Sequence, residues 1–183
     1  MRALLSVADP EWKSLVLFGL YTGQRLGDLA RLTWSNIDQV HDELRLVTAK
    51  TGRSMIIPLA APLRKHIDQM ALSDDPATPL HPRAYATIDV QGRSGTLSRQ
   101  FAELLSQAGL AKKKPHRKGT GREVSPLSFH SLRRTATTLL HEAGIPQAVA
   151  QALIGHDSAA MHEVYISVGR QALEKAVAAL PEL

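Results

Sequence analysis

The sequence predicts a mainly α-helical domain that carries a small antiparallel β-sheet, an α+β fold. Three observations lead there. Apolar residues recur at helical spacing through most of the chain. Two aliphatic arms, ELRLVTA and SMIIPL, flank the turn-forming KTGR, which is a hairpin pattern. The 183 residues are 44% hydrophobic, with no internal repeat and no break in composition, so one core and one domain spanning 1–183 are expected.

Taken in order, Asp9-Pro10 opens a helix whose apolar residues run from Trp12 through Leu20, and Gly23 ends it. Leu26, Leu29, Ala30 and Leu32 then place a short helix over 26–32. The hairpin follows, with Thr51-Gly52 at its turn, and helical spacing resumes over 61–72. Residues 73–95 read as a loop holding a short strand at 86–90. Phe101, Leu104, Leu105 and Ala108 share one side of a helix over 97–109. A basic loop, KKKPHRKGTGREVSP, precedes helices over 128–143, 146–154, 158–165 and 170–180.

Charge is unevenly spread. Residues 1–82 hold nine basic and nine acidic side chains, 83–134 hold eleven against three, and the remainder holds two against five. One central segment therefore carries the excess, as a surface that meets a polyanion would. A solvated basic loop is the plainer alternative. Cysteine is absent, which excludes disulfides, thiolate chemistry and cysteine zinc sites and fits a cytoplasmic protein. No run of eighteen apolar residues implies a membrane span.

Four places hold polar residues that a core does not need. Arg25 sits at the junction of two apolar helices, where its simplest alternative role is a salt bridge to Asp28. Lys50 stands near the hairpin tip, where lysine is common because tips are wet. His130 and Arg133, three apart in FHSLRRTATTLL, share one helical face. His156 follows a glycine in LIGH, and Tyr165 comes nine positions later.

Together these segments resemble a known family. TGQRLGDLARLTWSNID is similar to the first arginine box of tyrosine recombinases and phage integrases, and AKTGRSMIIPL to their lysine-bearing hairpin. FHSLRRTATTLLHEAG matches their H-x-x-R box, and LIGH with Tyr165 matches the final box. Order and spacing agree over essentially the whole chain. The resemblance implies the tyrosine recombinase catalytic-domain fold and a set of roles. Arg25, His130, Arg133 and His156 would surround the scissile phosphate, Lys50 would serve the leaving group, and Tyr165 would be the nucleophile. Asp28, where the family often has glutamate, would support them.

The residue types suit that chemistry. Two fork-shaped guanidiniums offset charge on the non-bridging oxygens without a metal. A phenol of pKa near 10 gives its proton to a histidine, and a lysine supplies one to the departing 5′-oxygen. The covalent intermediate keeps the bond energy, so rejoining needs no ATP, and neither cofactor nor metal is implied.

Two positions near the nucleophile depart from the family: His162 stands where threonine is common, and Ser167 where histidine is frequent. Lys112, Lys113, Lys114, Arg117, Lys118 and Arg122 of the basic loop, with Arg134, are expected to contact the DNA backbone. Relatives usually carry a helical core-binding domain ahead of the catalytic one; the arginine box begins about twenty residues in, so this chain is expected to lack it. The implied partners are double-stranded DNA and three further copies in a tetramer. The apolar pattern of 170–183 is expected to link those copies, as such a tail does in relatives; packing on its own domain is the alternative. Rival readings are a type IB topoisomerase, a catalytically idle DNA-binding remnant, and a zinc hydrolase, although H-E-x-x-H spacing is missing.

Overall fold

The computed structural model describes residues 1–90, 94–111, 127–155 and 169–183. Its helices are α1 (Arg2–Val7), α2 (Pro10–Thr22), α3 (Leu26–Leu29), α4 (Ala61–Asp68), α5 (Pro82–Tyr85), α6 (Ser94–Gln107), α7 (His130–Glu142), α8 (Gln147–Ile154) and α9 (Arg170–Ala178). Strands β1 (Ile37–Asp38), β2 (Glu43–Val47) and β3 (Ser54–Pro58) form one antiparallel sheet in that order. The α+β expectation is met. The helix expected over 158–165 and the whole basic loop lie outside the described residues.

Helix α2 is the central post. Asp9 caps it by accepting the Trp12 N–H at 2.9 Å, and Pro10 occupies the first turn, where no N–H is required. Leu15, Val16, Phe18, Leu20 and Tyr21 are all buried, so the helix is apolar around most of its circumference. It packs against α3, α4 and α7.

The predicted hairpin forms, pairing Glu43 with Pro58 through Val47 with Ser54. Alternation sends Leu44, Leu46, Met55 and Ile57 into the core. A third strand of two residues, Ile37–Asp38, adds to its edge and was not expected. The strand expected at 86–90 is instead a π-helical turn, Ala86–Val90, continuing from α5. The Thr87 hydroxyl bonds back to the Arg83 carbonyl at 2.8 Å, and Ile88 is buried. Pro82 starts the helix, and its backbone bonds are made within the turn rather than to a neighbouring strand.

His81, fully buried, ties α2 to α3. The Leu29 carbonyl only accepts, so Nδ1 carries the proton donated to it at 3.1 Å, and Nε2 accepts from the Ser14 hydroxyl at 2.9 Å. Burial lowers its pKa to about 4, which keeps the ring neutral. The ring also stands edge-on to Phe18, with centroids 5.3 Å apart.

The C-terminal helix packs on its own domain, the alternative to the link between copies expected of it. Leu173, Ala176, Val177 and Leu180 are buried, with α8 and β3 as neighbours. Arg170 pairs with the buried Glu43 and donates to the His41 carbonyl at 2.7 Å. Tyr21 donates its hydroxyl proton to the Pro181 carbonyl at 2.7 Å. The apolar face of this tail is thus covered within the chain.

Candidate active site

Two helix ends meet at the site. Helix α2 stops at Gly23 and α8 stops at Gly155, both in the left-handed conformation (φ 64° and 75°) that glycine adopts without strain. The fit is tight as well, since a Cβ on Gly23 would lie 3.0 Å from Ile154 and one on Gly155 would lie 3.2 Å from Met55. Each glycine stands just before a residue of interest: Gly23 precedes Gln24-Arg25, and Gly155 precedes His156. Terminal carbonyls of a helix lack partners within it and carry partial negative charge.

Two buried side chains satisfy those carbonyls in parallel. Arg133, 3% exposed, donates from Nη1 to Gly23 at 2.8 Å and from Nη2 to Gly155 at 2.7 Å. Gln24, 2% exposed, donates from Nε2 to Thr22 at 3.0 Å and to Ile154 at 3.3 Å. Successive carbonyls on each helix are therefore bridged, one pair by arginine and the next by glutamine. A guanidinium carries five donors, more than the two carbonyls take.

Around this bridge stand the other expected residues. Arg25 is the N-cap of α3 and is partly exposed. His130 opens α7 and is exposed, one turn before Arg133. Partial desolvation lowers the His130 pKa from its ordinary value, and the positive charges of Arg133, Arg25 and Arg134 lower it further. Three arginines from two elements thus act on one imidazole and favour its neutral, proton-accepting form. Arg134 itself is exposed.

Lys50 is exposed in the turn between β2 and β3. That turn is organised by Thr48, whose N–H donates to the Arg53 carbonyl at 2.9 Å and whose carbonyl accepts from Gly52 at 2.8 Å. Asp28 anchors it: Oδ1 accepts the N–H of Ala49, the residue before Lys50, at 2.8 Å. Asp28 is buried, and its Oδ2 has no hydrogen-bond partner among the described residues. The structure thus brings together Arg25, Asp28, His130 and Arg133, with the Lys50 turn tied to Asp28.

His156, Tyr165, Lys112, Lys113, Lys114, Arg117, Lys118, Arg122, His162 and Ser167 lie outside the described residues. Gln24 is the residue that sequence reasoning passed over. The one signal available was an amide placed between a helix-ending glycine and the arginine. Among the described residues, no cluster of three or more His, Asp or Glu is arranged to hold a metal, and no helix is long and apolar enough to cross a membrane.

Comparison with known proteins gives consistent results. The chain is 31% identical over 155 residues to the tyrosine recombinase XerD of Mycobacterium tuberculosis, covering 84% of this chain and 47% of that one. Among solved structures, the integrase from mycobacterium phage Brujita superposes with a TM-score of 0.72 at 22% identity, over 98% of this chain and 55% of that one, and so shares the fold. A lambda integrase tetramer bound to a Holliday junction matches with a TM-score of 0.53 at 25% identity, over 86% of this chain and 44% of that one. The chain spans about half the length of the curated relatives it matches. The model of the phage integrase family matches residues 1–171, and the chain belongs to that family.

Proposed function

We propose that this chain is the catalytic portion of a site-specific DNA recombinase of the tyrosine type. The Tyr165 oxygen attacks a backbone phosphorus, the bond from phosphorus to the 5′-oxygen breaks, and a 3′-phosphotyrosine results. The tyrosine proton passes to a histidine, His130 or His156. Lys50 returns a proton to the 5′-oxygen. A 5′-hydroxyl from the exchanging strand then attacks the phosphotyrosine, which restores a phosphodiester and frees the tyrosine without ATP or metal.

The convergence of Arg25, His130 and Arg133 carries this reading. Helix ends of negative polarity repel a phosphate, and arginine at that place reverses the local sign. Neighbouring cations keep the His130 imidazole neutral, with a ring nitrogen open to accept a proton, although they also weaken it as a base. The names of the relatives, a tyrosine recombinase and integrases, support the same activity. Double-stranded DNA is the substrate, held in part by Arg134 and the basic loop, and the enzyme works in the cytoplasm. Assembly as a homotetramer on paired sites is supported by the tetrameric lambda relative. The 183 residues act as a single catalytic domain.

Incubation with a nicked duplex tests the assignment. A protein–DNA adduct that survives denaturant and disappears with protease is the expected product. Tyr165→Phe should give none while binding DNA as before; undiminished adduct in that variant removes Tyr165 from the role.

A further inference from the structure

We propose that Gln24 is a positioning residue for the reaction, setting where Arg25 stands relative to the end of α8 at Ile154 and Gly155. The proposal rests on the functional reading above and adds to it a residue outside the six catalytic candidates.

The side chain is buried and its amide faces two carbonyls, those of Thr22 and Ile154 at 3.0 and 3.3 Å. Two acceptors dictate the rotamer, since the NH₂ end must point at them. The other end, Oε1, is buried and accepts nothing among the described residues. The partners are 130 positions apart in sequence, so the contact joins the arginine box to the far end of the chain. Arg25 is the next residue after Gln24, and His156 follows Ile154 by two. The Thr22 hydroxyl also accepts the Gln24 backbone N–H at 3.3 Å, which fixes the backbone from which Arg25 departs.

Arg133 forms the neighbouring bridge, but it cannot replace this one. Its two bonds go to Gly23 and Gly155, one carbonyl on each helix end. The bond from Gln24 to Ile154 supplies a second point of attachment to α8. Displacements of about 1 Å at reacting groups cost on the order of 100-fold in rate, so loss of the Gln24 bridge should be read in rate rather than in affinity.

The test uses the 183-residue chain with Gln24→Met, which matches the length and removes the donors, and Gln24→Glu, which turns a donor into an acceptor. Adduct formation on a nicked duplex is followed in single turnover at saturating DNA, alongside the DNA dissociation constant, thermal unfolding and the His130 imidazole titration by NMR. For Gln24→Met we expect a rate loss of about 10–100-fold, affinity within about twofold, a folded protein at the assay temperature, and a His130 pKa that moves up as Arg25 moves away. Gln24→Glu should be slower still at high pH, and its rate relative to wild type should rise as pH falls and the carboxyl gains a proton to donate. A wild-type rate in Gln24→Met overturns the proposal, as does a loss that follows the unfolded fraction or the affinity. If wild type itself yields no adduct, the recombinase reading fails. The His130 titration then still decides whether Gln24 positions the arginine, an unmoved value overturning it.

Discussion

Asp28 accepts the backbone N–H of Ala49 at 2.8 Å, so a buried carboxylate on the arginine-box helix holds the turn that carries Lys50. The acceptor matters here, not the charge. Asp28→Asn keeps an acceptor and should retain most cleavage activity, whereas Asp28→Ala frees the turn and should slow cleavage by about 10–100-fold, part of the usual worth of a general acid. Single-turnover cleavage of a nicked duplex by the two variants checks this; equal losses would mean that the negative charge is what counts.

Lys50→Ala should slow cleavage of ordinary DNA by about 10²–10⁴-fold. DNA with sulfur at the 5′-bridging position releases a thiolate and needs no proton. Both Lys50→Ala and Asp28→Ala should therefore cleave it near the wild-type rate. Arg25→Ala should gain nothing from sulfur, because guanidiniums act on the non-bridging oxygens. Failure of sulfur to rescue Lys50→Ala would assign the lysine to DNA binding and the proton to another donor.

Arg133 has a structural task, the bridging of two buried carbonyls. Arg133→Ala leaves the Gly23 and Gly155 carbonyls without their donor in a buried place, which should cost about 2–4 kcal/mol. For a chain of this size that lowers the melting temperature by roughly 5–15 °C. Arg25→Ala, at a partly exposed position, should cost less than about 1 kcal/mol. Calorimetry of the two variants without DNA separates them, and equal melting points would refute the difference.

Stability should fall in mild acid because of His81. Its folded pKa is about 4 against an ordinary 6.5, so the unfolded chain takes up the proton first. The contribution is complete above pH 6.5 and is lost as pH falls toward 4, amounting to about 3 kcal/mol over that window. His66, also lowered by burial, works in the same direction. Urea unfolding at pH 7.5, 5.5 and 4.5 should show a falling midpoint. His81→Gln should start less stable and show a flatter decline; an unchanged slope would place the acid sensitivity elsewhere.

Replacing Lys112, Lys113 and Lys114 with alanine should weaken binding to all duplexes alike. Each lost phosphate contact should reduce the salt slope by about one unit. Loss confined to one DNA sequence would reassign these lysines to base reading.

What the sequence disclosed follows from how local each signal is. Helix α2 was legible because its cap, first-turn proline and terminal glycine lie within the helix itself. Ala86–Val90 was misread because Thr87, Ile88 and Val90 are strand formers by type, while the helical start that decides the matter is set at Pro82. Ile37–Asp38 is too short to leave a period. At the site, spacing put His130 and Arg133 on one face, but not that one is exposed and the other buried. Gln24 stayed hidden because its second partner, Ile154, is distant in sequence and contributes only a backbone carbonyl.

The ion pair of Arg170 with Glu43 sets an upper bound on a distance. Arg133 fixes Gly155 on one side, and Glu43 with the His41 carbonyl fixes Arg170 on the other, so the intervening chain starts and finishes at points belonging to the folded body. Tyr165 is five residues from Arg170. A fully extended chain spans at most about 3.6 Å per residue, which keeps the tyrosine backbone within about 18 Å of that anchor whatever path it takes.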